Sequence, residues 1–212
     1  MTVLRARAVL FDMDGTLVDS NEVVEAMWTE FAHALGVDAA EVIDFAHGRP
    51  SRSTIARYAP HDVATWEEHI HRGEAERFLD LHPIVGAVDV VAAIPAERWA
   101  VVTSAIRQPA LERLASVGFP QPAVLIGADD VAHGKPDPEG YARAARELGF
   151  EPADCVVFED TSAGIAAGLA AGCQAVVVGG AVADVMEGLP RIADFTGVSV
   201  RAAGDGLEFT LP

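Results

Sequence analysis

Residues 11–20 read FDMDGTLVDS, directly after the apolar run Ala8-Val9-Leu10. A half-buried strand sends successive side chains to opposite faces, so Asp12 and Asp14 are placed to point the same way at the strand's end. Two carboxylates held together repel, and one must take up a proton unless a cation sits between them. The stretch therefore asks for a metal, a proton, or both, at the mouth of a strand over residues 9–12.

The segment after that strand reads as helical. In NEVVEAMWTEFAHALG the apolar residues Val23, Val24, Met27, Trp28, Phe31 and Leu35 recur at helical spacing, and Gly36 stops the run. Further helices are expected over residues 42–45, 51–58 and 62–79, with no strand between residues 20 and 81. From His82-Pro83 onward the pattern alternates. Helices are expected over 86–94, 109–117, 138–148 and 162–171, and strands over 99–103, 123–126, 155–158 and 175–178. Strands alternating with helices imply a parallel sheet covered on both faces. RWAVVT, CVVF and AVVV are continuously apolar, as strands buried on both faces should be. The expected fold class is thus α/β: a Rossmann-like parallel sheet core with helices on both faces, plus a small all-helical cap inserted after the first strand. The boundaries read as 1–17 and 83–212 for the core and 18–82 for the cap, with hinges near 17–20 and 81–83. Trp28 and Trp66 fall at helical positions suited to the cap's own core. The tail from Asp194 is expected to add an edge strand and carries no chemistry.

Composition narrows the function. The chain has 212 residues, half of them hydrophobic, enough for one substantial core and a small second domain. Mean hydropathy is +0.23, yet no apolar run reaches the roughly 18 residues that span a bilayer. The N-terminal apolar run ends at once in Asp12 and lacks a signal-peptide pattern, so a cytoplasmic location is expected. The formal net charge is −17, which repels phosphate backbones and anionic lipids and argues against nucleic acid or a membrane as partner. A small phosphate substrate would need a cation and a few placed Lys or Arg to overcome that field locally. Cys155 and Cys173 cannot make a disulfide framework and read as reduced, buried residues.

Four polar groups stand just after apolar strands: Asp12 and Asp14; Thr103-Ser104 after AVV; Lys135 in HGKPDP; and Glu159-Asp160 after CVVF. A sheet of this kind brings all four to one edge, where open α/β sheets bind ligands. Together they supply acids for a divalent cation, a lysine, and a hydroxyl with backbone N–H groups, a set that suits an oxyanion such as phosphate. Each alone has an ordinary structural reading. Asp-Gly-Thr is a turn sequence, Thr-Ser can cap the next helix, Lys135 can be a solvated charge, and Glu159-Asp160 can sit against a helix dipole. Their order and spacing make a fourfold coincidence a poor account.

The set DMDGT, VVTS, GKPDP and FEDTSAGIAAGLAAG resembles the four-motif signature of the haloacid dehalogenase superfamily, specifically its phosphatase branch with a helical cap after the first motif. The resemblance covers nearly the whole chain. It implies that Asp12 is the nucleophile, becoming an aspartyl phosphate, and that Asp14 is first general acid and then general base. It implies that Thr103, the Ser104 backbone and Lys135 hold the phosphoryl oxygens. Mg²⁺ would be held by Asp12, the Asp14 backbone carbonyl and Asp160, with Glu159 acting through water or orienting Asp160. The chemistry agrees with these roles. Mg²⁺ takes hard oxygen ligands and keeps waters. Lys135 adds a second cation, and two-step transfer needs a group that gives and then takes a proton. Members that cleave carbon–halogen bonds do not have the second aspartate, so Asp14 favours phosphoryl transfer.

Residues 47–60, HGRPSRSTIARYAP, form a basic stretch on the cap of an acidic protein. It resembles the cap segment of family phosphatases acting on glycerol 3-phosphate and 2-deoxyglucose 6-phosphate. Arg49 is the leading substrate contact expected there, with His47 and Arg52 behind it. The alternatives are a β-phosphoglucomutase-type mutase, a phosphoglycolate-type phosphatase, and a non-enzymatic domain that keeps the fold. Family mutases carry a histidine in the first cap helix where this sequence has Val24. A monomer is expected, because the cap already covers the site.

Overall fold

The structure, a computed structural model, describes residues 1–76, 81–179 and 188–212. Its elements in chain order are β1 (Thr2–Ala6), β2 (Ala8–Phe11), β3 (Val18–Asp19), α1 (Asn21–Leu35), α2 (Ala39–Ala46), α3 (Ser51–Tyr58), α4 (Val63–Glu76) and β4 (His82–Pro83). They continue with α5 (Ala87–Ala92), β5 (Trp99–Val102), α6 (Arg107–Ser116), β6 (Val124–Ile126), α7 (Glu139–Glu147), β7 (Cys155–Glu159), α8 (Ser162–Ala171), β8 (Gln174–Val178), β9 (Arg191–Ile192), β10 (Ser199–Ala203) and β11 (Gly206–Leu211).

The main sheet has six parallel strands in the order β6-β5-β2-β7-β8-β9. Every residue of β2 is buried, so the sequence there is apolar throughout rather than alternating. The pleat then divides it. Val9 and Phe11 pack with Val90, Val91, Ala110 and Leu114 of α5 and α6, whereas Ala8 and Leu10 pack with Tyr141, Ala144 and Ala145 of α7 and Ala167 of α8. The α/β class with helices on both faces is therefore the observed one. The chain runs from β2 outward to β5 and β6 and then crosses back to β7, so β2 lies where the strand order reverses. Such a switch point opens a crevice at the carboxyl ends of the strands.

Between β3 and β4 the described residues hold only helices. Met27, Trp28, Phe31, Val42, Ile55 and Ile70 form a cluster of their own, with Trp28 and Trp66 set edge-on against Phe31. Gly36 ends α1 in the left-handed conformation, as its sequence position predicts. Asp38 caps α2 by accepting from the N–H groups of Ala40 and Glu41, which starts that helix earlier than residue 42. α4 is described to residue 76; the remainder of the helix expected to residue 79 lies outside the described residues. The two crossings into and out of this helical segment pair as the antiparallel ribbon β3–β4, Val18 opposite Pro83 and Asp19 opposite His82.

The tail from Asp194 supplies an edge strand, β10, but to a second sheet rather than to the main one. β10 and β11 form a hairpin that joins β1, itself unforeseen, in a separate three-stranded antiparallel sheet. Leu207, Phe209 and Leu211 alternate inward and pack on the α5–α6 side of the core, and on the opposite face Glu208 accepts hydrogen bonds from Arg5 and Arg201.

Candidate active site

Asp12 sits at the carboxyl end of β2, and its N–H donates to the Phe158 carbonyl at 3.0 Å, extending the parallel ladder by one step. The buried Lys135 ammonium donates to Asp12 Oδ1 and, at 2.7 Å, to Glu159 Oε1. Burial opposes the charge on Lys135, but Asp12 and Glu159 overcome it and hold the amine above its ordinary range. Glu159 is fully buried. Its Oε1 also accepts from the Tyr141 hydroxyl at 3.3 Å, and its Oε2 from the Thr161 N–H and hydroxyl at 2.7 and 2.9 Å. Asp160 Oδ1 accepts from the Thr16 hydroxyl at 3.0 Å.

Carboxylate oxygens of Asp12, Glu159 and Asp160 all lie within 4.8 Å of one another. Three carboxylates face one ammonium, an excess of two negative charges. Burial and like charge act together on two of these carboxyls. Burial first, and then Glu159 and Asp160 against the opposing pull of Lys135, push Asp12 well above the usual carboxylate range. Burial and Glu159 push Asp160 up to about 7. A set made only of hard oxygen donors, short of two positive charges, fits a divalent cation. Glu159 is saturated by its donors and stands behind the cavity wall, so Asp12 and Asp160 present the oxygens that face outward.

Asp14 occupies the next turn. The Met13 carbonyl accepts from the N–H groups of Thr16, Leu17 and Val18, which fixes the backbone loop around Asp14. Gly15 adopts φ +81°, and a β-carbon there would lie 2.0 Å from Asp160 Oδ2, so glycine is required for conformation and for space alike. Asp14 Oδ1 accepts from the Ser20 hydroxyl at 2.7 Å and from Arg113 Nη1 at 2.9 Å. Ser20 stands at the N-cap of α1, yet its hydroxyl makes no capping bond.

Thr103 and Ser104 come directly after β5. The Thr103 hydroxyl accepts from the Ala105 N–H, and the Ser104 hydroxyl donates to the Gly48 carbonyl at 3.1 Å, tying the helical segment to the sheet. Gly48 has φ +72°, and a β-carbon there would meet Thr161 Oγ1 at 2.5 Å. The loop at residues 47–50 is thus seated closely on two strand-end loops.

A cavity of about 80 Å³ brings Asp12, Asp14, Thr103, Ser104 and Asp160 together with His47 and Arg49. It adjoins a more open cleft of about 500 Å³, also bordered by His47, Arg49 and Asp160. Lys135 lies beneath the cavity, reaching it through Asp12. Arg49 donates to the Phe45 carbonyl at 2.7 Å and stacks over the Phe45 ring, so its guanidinium is anchored at the rim. Arg52 is not brought in: it pairs with Glu67 of α4 at 2.9 Å. With Pro50 starting the helix, Arg49 falls in the loop and Arg52 in the first turn of α3. Sequence reasoning missed Asn21 and Arg113 in the wall. Arg113 did leave a signal, a charge between Ala110 and Leu114 on the buried stripe of α6.

The family model described as haloacid dehalogenase-like hydrolase matches residues 6–172. The chain belongs to this family. Hexitol phosphatase A of Escherichia coli (strain K12) is 38% identical over 184 residues, covering 82% of this chain and 84% of that protein. Glycerol-1-phosphate phosphohydrolase 2 of Saccharomyces cerevisiae is 37% identical over 186 residues, covering 81% and 74%. Among solved structures, CbbY from Rhodobacter sphaeroides in complex with phosphate superposes with a TM-score of 0.75 at 27% identity, covering 91% of this chain and 96% of that one. Within this haloacid dehalogenase-like hydrolase, three of the four strand-end groups line one cavity and the fourth, Lys135, stands behind Asp12; among the described residues, no helix is long and apolar enough to cross a membrane.

Proposed function

We propose that this chain is a Mg²⁺-dependent phosphatase that hydrolyses a small sugar or polyol phosphate monoester through an aspartyl phosphate on Asp12. The observation that carries the reading is the buried Lys135–Asp12 pair at the end of β2, with Asp14 two residues on and Asp160 beside it. Hexitol phosphatase A and glycerol-1-phosphate phosphohydrolase 2 are named for hexitol and glycerol phosphates, and the small cavity suits esters of that size. We divide the chain into a core (1–17 and 83–212) and a helical lid (18–82) that closes over the cavity and excludes water.

In the first step an Asp12 carboxylate oxygen attacks phosphorus while the ester P–O bond breaks and Asp14 gives its proton to the departing alcohol oxygen. In the second, Asp14 takes a proton from water as the water oxygen attacks phosphorus and the Asp12–phosphorus bond breaks. Lys135 holds Asp12 in place as a carboxylate, and the N–H groups after Thr103 hold phosphoryl oxygens. Mg²⁺, held by Asp12, Asp160 and the Asp14 carbonyl, would supply the charge that cancels the repulsion between nucleophile and phosphate. Arg49, with His47 beside it, contacts the substrate at the rim. Val24 lines the cavity at the position aligned with the mutase histidine and offers no proton, which disfavours isomerisation.

The test is phosphate release from a panel of phosphomonoesters with Mg²⁺ and with EDTA. The panel holds hexitol and hexose 6-phosphates, glycerol phosphates, phosphoglycolate and nucleotides. Metal-dependent release favouring sugar or polyol esters is expected. Release that persists in EDTA, or a preference for nucleotides, overturns the reading.

A further inference from the structure

Arg113 belongs to none of the four motifs, yet it stands in the cavity wall at 3% exposure, on a helix stripe that is otherwise apolar. We propose that Arg113 is the positioning residue for the acid–base step: its guanidinium fixes the Asp14 carboxylate so that one oxygen faces the reacting ester. The assignment rests on the phosphatase reading.

The geometry supports it in three ways. The backbone around Asp14 is already fixed by the Met13 carbonyl, so the remaining freedom is rotation of the carboxylate, a soft torsion with broad wells. Arg113 Nη1 and the Ser20 hydroxyl both donate to the same oxygen, Oδ1, from different elements. Two donors on one oxygen restrain that rotation, and Oδ2, which takes neither, is left for the proton transfer. Finally, burying a guanidinium to reach a partly exposed carboxylate is a poor device for stability alone, because an apolar residue of similar volume serves as well or better. A guanidinium kept in an apolar stripe beside the cavity therefore points to the carboxylate it holds. Arg113 remains charged throughout and transfers nothing. Asp14 gives its proton as the ester bond breaks and regains one from water.

The test exploits leaving groups. An alkoxide needs a proton to depart; 4-nitrophenolate does not. First-turnover release is measured for 4-nitrophenyl phosphate and for the alkyl phosphate that the wild type turns over fastest, in Arg113→Met, Arg113→Lys and wild type. For Arg113→Met the alcohol should appear about tenfold or more slowly, because misplacing a general acid forfeits part of its contribution. KM and nitrophenolate release should change by less than about threefold. Arg113→Lys should recover part of the loss. In an Asp14→Ala background, Arg113→Met should cost nothing further. Equal losses on both esters, no loss, or a loss that persists without Asp14 overturns the assignment while an active wild type leaves the phosphatase reading standing. A wild type that turns over neither ester overturns both. If Arg113→Met is unfolded at the assay temperature, Arg113→Lys carries the same comparisons.

Discussion

Replacing Lys135 with methionine removes the ammonium from the centre of the carboxylate cluster while keeping most of its volume. The 2.7 Å contact with Glu159 corresponds to about 6 kcal/mol of attraction at an effective dielectric constant of about 20, and the contact with Asp12 to at least as much. Much of that attraction offsets the desolvation of three buried ions. The net cost of removing one partner from such a group is about 3–5 kcal/mol. Urea unfolding in EDTA at pH 8 should therefore show a loss of that size with an unchanged m-value. The loss should shrink at pH 5. Burial and Glu159 push Asp160 up to about 7, above its ordinary value of 3.8. A raised carboxyl pKa contributes stability that is fully present below the unfolded value and is lost as pH rises through the folded one. Without the lysine's charge the carboxyls of Asp12 and Asp160 move further up, so protons replace the lysine more completely at pH 5 than at pH 8. A loss below about 1 kcal/mol at pH 8, or one as large at pH 5 as at pH 8, would refute the view that Lys135 is held by charge rather than by packing.

Asp12→Asn should abolish turnover while the chain still folds; residual activity above about a thousandth would remove Asp12 as nucleophile. Gly48→Ala places a β-carbon against the Thr161 hydroxyl at a positive φ, so kcat/KM should fall and stability should drop by about 1–2 kcal/mol; unchanged kinetics would mean that the 47–50 loop need not seat on the sheet. Arg49→Ala should raise KM several-fold with a smaller effect on kcat, as loss of uniform binding does, and an unaltered substrate ranking would take Arg49 out of the site. Burial pushes the thiols of Cys155 and Cys173 up to about 12 and about 11, so thiol reagents at pH 8 should label neither until the chain is unfolded, and rapid labelling of the native protein would contradict their burial.

The sheet was legible because its strands are apolar on both faces, and because the polar residues that end them are the ones that do chemistry. RWAVV and CVVF could be placed without knowing their neighbours. The three-stranded sheet could not. Leu207, Phe209 and Leu211 alternate as a one-sided strand should, but β11 pairs with residues at the other end of the chain, and no local pattern names a partner so distant. The basic stretch misled for a helical reason: Arg49 and Arg52 read as one patch, whereas Pro50 divides them between loop and helix.

Charge was foreseen in part. A net charge of −17 called for a cation and a few placed Lys or Arg, and Lys135 was among them. The structure adds Arg113, buried like Lys135 and held by a carboxylate. Exposed charges are screened within about 8–10 Å in physiological salt, whereas buried ones are not. The field at Asp12 is therefore set by a few enclosed groups and by whatever cation joins them. Those groups come from β2, α6, β7 and the loop after β6, so a sequence shows each of them separately, and only the fold reveals that they share one electrostatic balance.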